Sequence, residues 1–364
     1  MQARPQRGDL WDNPMATDGF EFVEYTGPDP QALAALFERL GFVAAARHRS
    51  KKVTLYKQGD ANFILNAEPE SFAQAFARLH GPSVCAIAFR VADAAQAYER
   101  AVSLGAKPVH GKVGPMELNI PAIEGIGGSL IYLVDRYGER TIYDVDFTPV
   151  ADVAVPGVGL TGTDHLTHNV HRGRMALWAE FYERLFNFRE IRYFDIEGEL
   201  TGLKSKAMTS PDGRIRIPIN ESADDKSQIA EYLEAYHGEG IQHIALATPD
   251  IYATVEALQM RAIPFMSVPD TYYEAVDARL PGHGEDLARL KRDRILIDGG
   301  SGAGQGVLLQ IFTETVIGPV FFEIIQRKGN EGFGEGNFRA LFESIERDQI
   351  RRGVLAPKAR AETA

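Results

Sequence analysis

The sequence predicts an α+β fold: duplicated βαβββ modules forming two open-barrel domains, followed by a C-terminal helix. Three observations carry this reading. Segments of the first half recur in the same order in the second half. Each recurring unit opens with a short apolar run of strand character and passes into a stretch with helical spacing. The closing segment NFRALFESIERDQIRRGVL places Phe338, Leu341, Phe342 and Ile345 on one helical face.

Taken in order, the first matching pair is FEFVEYTGPDPQALAALFERLGF (20–42) and DHLTHNVHRGRMALWAEFYERLFNF (164–188). Leu33, Leu36, Phe37 and Leu40 follow helical spacing in one, and Leu177, Phe181 and Leu185 in the other. The second pair is VCAIAFRVADAAQAYERAVSLGAKPV (84–109) and IQHIALATPDIYATVEALQMRAIPFM (241–266), each reading strand, turn, helix, turn. The third sets GIGGSLIYLVD (125–135) against GSGAGQGVLLQIFTE (300–314), two glycine-rich turns feeding apolar strands. The fourth sets TIYDVDF (141–147) against FFEIIQR (321–327). A Pro/Gly/Val linker at about 148–162 then separates a domain over 12–150 from one over 158–355. The run PDTYYEAVDARLPGHGEDL is an insertion without a catalytic pattern. The glycines of GGSGAGQG precede a strand rather than a helix, so they are expected to form a hairpin loop and not a phosphate cradle.

Composition narrows the function classes. At 364 residues the chain is long enough for two cores, and its net charge of −11 argues against a nucleic-acid footprint or a basic membrane patch. The longest apolar runs, such as SLIYLV, are too short to span a bilayer. The N-terminal stretch lacks the apolar core of a secretory signal. With a single cysteine, Cys85, no intrachain disulfide can form, and a cytoplasmic location is expected. Cys85 itself reads as a small buried hydrophobe.

The second half carries chemistry that the first lacks. His165 (in TDHLTHNV), His243 (in GIQHIALAT) and Glu323 (in PVFFEIIQ) all sit in apolar strand-like segments. A carboxylate or imidazole buried there needs a partner, a proton or a cation. Two imidazoles and a carboxylate form the facial set that leaves coordination positions open on non-haem Fe(II), although a zinc site uses the same ligand types. In the repeat, His243 falls opposite Ala86, Glu323 opposite Asp144, and His165 opposite Phe20 or Glu21. The first half is therefore expected to be scaffold. His165 is preferred over His168 because it takes the strand-start position that His243 takes in its own unit.

The motifs RSKKVTLYKQGDANFILN, HGPSVCAIAFRV, DHLTHNV, SKAMTSPDGRIRIPINE, GEGIQHIA, LLQIFTET, GPVFFEIIQRKG and GFGEGNFRALFESIE together resemble the bacterial 4-hydroxyphenylpyruvate dioxygenase family, within the vicinal-oxygen-chelate superfamily. The resemblance runs from about Trp11 to Leu355. It implies Fe(II) held by His165, His243 and Glu323. It implies 4-hydroxyphenylpyruvate and O2 as substrates and homogentisate and CO2 as products, in tyrosine and phenylalanine catabolism. It also implies a pocket of Ser205, Pro218, Asn220, Gln228, Gln242 and Gln310 with aromatic walls from Phe312, Phe321, Phe333 and Phe338. Such a pocket suits a phenol, whose ring needs apolar faces and whose hydroxyl needs amide or hydroxyl partners. Relatives of this kind are homo-oligomers, dimers or tetramers, and the N-terminal half is the expected structural and oligomerisation module. The C-terminal helix, with Phe333 and Phe338 near its start, is a candidate lid. The same resemblance leaves 4-hydroxymandelate synthase as the alternative, with Pro218 and Asn220 favouring the dioxygenase. An extradiol-type dioxygenase would call on extra pocket histidines, for which His168 and His171 are candidates. A metal-free binding protein of this fold would lack one of the three ligands.

Overall fold

The computed structural model describes residues 8–337 and Ala340, apart from 112, 113, 115, 151–156, 198–201, 223–226 and 300–305. The first half runs β1 (Phe20–Thr26), α1 (Pro30–Arg39), β2 (Val43–His48), β3 (Val53–Gln58), β4 (Ala61–Asn66), α2 (Phe72–His80), β5 (Ser83–Arg90), α3 (Ala94–Ser103), β6 (Pro108–Val109), β7 (Ala122–Glu124), β8 (Leu130–Val134), α4 (Tyr143–Asp146) and β9 (Phe147–Pro149). The second runs β10 (Gly162–Val170), α5 (Met175–Phe186), β11 (Arg189–Glu197), β12 (Gly202–Thr209), β13 (Arg216–Ser222), α6 (Gln228–Tyr236), β14 (Gly240–Ala247) and α7 (Ile251–Met260). The insertion supplies two short helices, α8 (Asp270–Tyr273) and α9 (Val276–Arg279), and leads into a third, α10 (Leu287–Asp293). Strands β15 (Leu296–Gly299), β16 (Val307–Phe312) and β17 (Phe321–Lys328) follow.

Helix starts coincide with side chains that satisfy free N–H groups. Asp29, Ser71, Asp93, Ser227 and Asp250 each accept from a backbone amide two or three residues ahead. Asn187, in a left-handed conformation, ends α5 and turns the chain into β11.

The duplication extends to strand order. The first sheet is ordered β6-β7-β8-β5-β1-β4-β3-β2-β9 and the second, read from its other edge, β15-β16-β17-β14-β10-β13-β12-β11. The two correspond strand for strand, with β9 added. Registers agree too: Glu24 pairs Ala86 as Thr167 pairs His243, and Phe22 pairs Ala88 as His165 pairs Ala245. Both ladders carry irregularities at the same two places.

This corrects part of the repeat read from sequence. β17 matches β8, not the TIYDVDF segment, because β17 lies parallel to β14 as β8 lies parallel to β5. TIYDVDF supplies α4 and the start of β9 instead. The residue matching Glu323 is therefore Tyr132, not Asp144, and the residue matching His165 is Phe22, not Phe20 or Glu21. Ala86 does match His243. The buried stripe of α5 is also shifted: Trp178, Tyr182 and Leu185 face the core, whereas Leu177 is exposed. The GGSGAGQG run is flanked by the antiparallel pair β15 and β16, as a hairpin requires, while 300–305 lie outside the described residues. Most of the expected C-terminal helix also lies outside them, with helical turns described at 335–337 and at Ala340.

Alternate strand residues point to opposite faces. One face of each sheet joins the helices in a core continuous through both halves, where Tyr25 and Phe63 meet Phe322 at 6.4 and 5.9 Å between ring centroids. Cys85 belongs to that core. The other face is concave. In the first half it is filled: Phe22 contacts Tyr132 (5.6 Å), and Ile142, Tyr143 and Phe147 from α4 and its flanks close over them. In the second half it holds a cavity.

Candidate metal centre

Three adjacent strands, β10, β14 and β17, build the floor of this cavity. Their ladders align His165, Ala245 and Glu323 in one row and Thr167, His243 and Phe321 in the next. His165 and Glu323 thus stand two strand spacings apart, about 10 Å between backbones. Their side chains converge over the methyl group of Ala245, and His243 reaches in from one row away. His165 Nε2 lies 3.2 Å from Glu323 Oε2, His243 Nε2 lies 3.4 Å from the same oxygen, and the two imidazole Nε2 atoms are 3.4 Å apart. A cation roughly 2.0–2.2 Å from each donor would set them about 3.0 Å apart on an octahedral face and about 3.4 Å apart in a tetrahedral site. The observed triangle accommodates either.

The surrounding contacts fix which atoms face the centre. Asp164 Oδ1 is 2.8 Å from His165 Nδ1, and a carboxylate only accepts, so Nδ1 carries the proton and Nε2 is left to the centre. Gln242 Oε1 plays the weaker equivalent part for His243 Nδ1 at 3.3 Å. Thr167 Oγ1 donates to His243 Nε2 at 2.9 Å. Glu323 Oε1 has no hydrogen-bond partner among the described residues, although the side chain is 2 % exposed. A buried carboxylate with Oε2 facing two imidazole nitrogens and Oε1 unpaired is a donor set that a cation satisfies, and this trio forms the one such group among the described residues.

The charges are coupled. Burial would raise Glu323, but the two imidazoles outweigh it and hold the carboxyl below its usual value. Burial would lower His165, yet Glu323 and Asp164 outweigh it and raise the ring above the ordinary histidine value. His243, with burial and His165 both against it, is lowered.

The cavity, about 40 Å³, is lined by the three donors with Thr167, Phe194, Leu203, Ser205, Pro218, Asn220, Phe312, Phe333 and Glu335. Of the residues expected from sequence, Ser205, Pro218, Asn220, Phe312 and Phe333 are there. Phe321 is not in the lining; its ring stacks on His243 at 5.0 Å. Gln242 serves His243 Nδ1 rather than the cavity. Gln310 is buried beneath the 333–334 turn, where a Cβ on Gly334 (φ +79°) would collide with its amide. Gln228 lies outside the lining, as the exposed first residue of α6 after the capping Ser227. Phe338 lies outside the described residues.

His168 is not a donor. It faces the core with Nε2 2.7 Å from Tyr182 Oη, and burial lowers it to about 3. His171 is exposed. Thr167, Phe194, Leu203 and Glu335 were missed in the sequence. Thr167 had a signal, since it shares a strand face with His165, but Phe194 and Leu203 reach the cavity only through the β11–β12 pairing.

Comparison with known proteins settles the family. Residues 11–148 match the family described as "Hydroxyphenylpyruvate dioxygenase, HPPD, N-terminal", and 162–276 match "Glyoxalase/Bleomycin resistance protein/Dioxygenase superfamily". A 4-hydroxyphenylpyruvate dioxygenase of Pseudomonas aeruginosa is 63% identical over 94% of this chain and 97% of its own length. The chain belongs to the 4-hydroxyphenylpyruvate dioxygenase family. A Vibrio vulnificus protein named Hemolysin VllY is 64% identical over 94% of this chain and 98% of its own. A mutant of 4-hydroxymandelate synthase from Streptomyces coelicolor shares the fold, with a TM-score of 0.79 over 92% of this chain and 100% of that one, at 24% identity. No helix among the described residues is long and apolar enough to cross a membrane.

Proposed function

We propose that this chain converts 4-hydroxyphenylpyruvate and O2 to homogentisate and CO2, with Fe(II) held by His165, His243 and Glu323. The observation that carries the reading is the buried triangle of three donors at 3.2–3.4 Å, in a chain 63% identical to a named 4-hydroxyphenylpyruvate dioxygenase. Bound there, Fe(II) would chelate the 2-oxo acid and activate dioxygen for ring hydroxylation. The remaining work belongs to the chain. The cavity lining holds no Lys or Arg among the described residues, so the substrate carboxylate has no protein cation to meet and must be neutralised at the triad. Asp164 and Gln242 hold both imidazoles with Nε2 inward. Phe194, Pro218, Phe312 and Phe333 offer apolar faces for the ring, and Ser205 and Asn220, paired across β12 and β13, offer a hydroxyl and an amide for its polar end.

The cavity of about 40 Å³ is far smaller than the roughly 300–1,000 Å³ of typical ligand pockets. Admitting a substituted phenol therefore requires a wall to move. Phe333, on the turn after β17, is the wall least tied to a sheet, in keeping with the expected lid role of the segment beyond it. The first half, whose matching positions are Phe22, Ala86 and Tyr132, serves as scaffold and as the surface for a dimer or tetramer. We place the protein in the cytoplasm.

The synthase alternative shares the donors and differs in product. The extradiol alternative loses support, because His168 faces the core and His171 is exposed. Incubation of the Fe(II)-loaded protein with 4-hydroxyphenylpyruvate and O2, followed by chromatography of the acids, is expected to give homogentisate. Glu323→Ala is expected to abolish it together with iron retention. Hydroxymandelate as the product would overturn the assignment of the reaction, and oxygen uptake by a Glu323→Ala protein would overturn that of the site.

A further inference from the structure

Asp164 is the extra residue of a β-bulge. The β10–β14 ladder steps from Thr163 to His165, so Asp164 is left unpaired and its carboxylate turns to the side of His165. It is clamped there by Arg327 of β17, whose Nη2 and Nε donate to Asp164 Oδ1 and Oδ2 at 2.7 and 2.8 Å. The same guanidinium donates through Nη1 to the carbonyls of Gly332 (2.7 Å) and Asn330 (3.2 Å) and lies 5.7 Å from the Phe333 ring centroid. Arg216 adds a second bridge, 3.5 Å from Asp164 and 2.5 Å from Glu331. One carboxylate thus joins a donor of the metal triad to the turn that carries a cavity wall.

The first half supplies an internal comparison. Its matching bulge residue, Glu21, pairs with Arg90 at 2.6 Å, and Arg90 lies 5.5 Å from the ring centroid of Tyr137, in the segment leading to α4. An acid, an arginine and an aromatic residue on the closing segment therefore occur in both halves. In the first half the acid stands beside Phe22, the counterpart of His165, and its arginine comes from β5, whereas Arg327 comes from β17. Only in the second half does the acid also accept from an imidazole of the triad.

We propose that Asp164 and Arg327 are positioning residues that couple occupation of the triad to closure of the 329–334 turn. This rests on the metal reading given above. Ordering His165 against a cation fixes Asp164, hence Arg327, hence the turn. Loss of either partner should leave a site that still binds metal, more weakly, and a turn that no longer responds.

The test uses the full-length metal-free protein with Co(II) as probe, titrated by calorimetry and followed by amide hydrogen exchange. In the wild type, Co(II) is expected to slow exchange across 329–334 several-fold and to leave 135–147 unchanged. Asp164→Asn is expected to weaken Co(II) binding about 10- to 100-fold. At saturating Co(II) it should show no slowing at 329–334. Arg327→Gln should lose the same response, and Arg327→Lys, which keeps the charge but not the two-armed contact, should restore part of it. The lysine variant also carries the test if the glutamine variant does not fold. Metal-dependent protection of 329–334 persisting at the full wild-type level in Asp164→Asn and Arg327→Lys, with Co(II) bound, would overturn the coupling alone. A wild type that takes up no more Co(II) than Glu323→Ala would overturn the metal reading beneath it.

Discussion

Acidification should destabilise the second half of the molecule through His168, by an amount that can be worked out in advance. His168 is fully buried between β10 and α5, with Nε2 on the Tyr182 hydroxyl, and burial lowers it to about 3, against about 6.5 in an unfolded chain. The folded state therefore excludes the proton that the unfolded state takes up. Between pH 6.5 and 3 the unfolded state binds more protons, so stability rises with pH in that window and is lost as pH falls below 6.5. Each unit is worth about 1.4 kcal/mol, which gives roughly 2 kcal/mol lost between pH 7 and pH 5 and 4–5 kcal/mol over the whole window. The assay is urea unfolding followed by Trp178 fluorescence, since Trp178 lies on the same helix as Tyr182, four residues away. His168→Gln should shift stability at pH 7 by an offset of its own, but its loss from pH 7 to pH 5 should be about 2 kcal/mol smaller than that of the wild type. Equal losses in the two proteins would refute the reasoning and reopen His168 as a residue reached by solvent or by a cation.

Three further outcomes follow from the geometry of the centre. Ala245→Leu would push a branched side chain into the gap where His165 and Glu323 converge; a stability cost of about 1–3 kcal/mol and at least a tenfold loss of Co(II) affinity are expected, checked by thermal unfolding and calorimetry. Thr167→Val removes the hydroxyl that bonds His243 Nε2 and so competes with a cation for that atom; Co(II) should bind it at least as tightly as the wild type, and a tenfold loss would mean that Thr167 supports the site rather than competes for it. Metal affinity should fall by up to tenfold per pH unit once the pH drops below the raised value of His165, so the decline begins above pH 6.5; a Co(II) affinity that is flat from pH 8 to pH 6 would contradict the coupling of His165 to Glu323 and Asp164.

The duplication, the strand–helix order of its units and the three side chains that meet at the candidate centre were legible along the chain. These signals are local: a strand or helix shows its period within ten residues, and a His or Glu inside an apolar strand stands out wherever the strand finally lies. The sequence also marked five cavity residues, Ser205, Pro218, Asn220, Phe312 and Phe333, through family resemblance. What depends on register came from the fold. Successive glycine turns followed by apolar strands look alike in sequence, so Glu323 was set against Asp144 until the parallel pairing of β17 with β14 showed its counterpart to be Tyr132. A bulge, invisible in composition, brings Asp164 round to His165 instead of the opposite face. Cross-strand pairing brings Phe194 and Leu203 to the cavity. The small residue at 245 matters only because two longer ones meet above it. Such facts join residues tens to hundreds of positions apart, and no local pattern along the chain carries them.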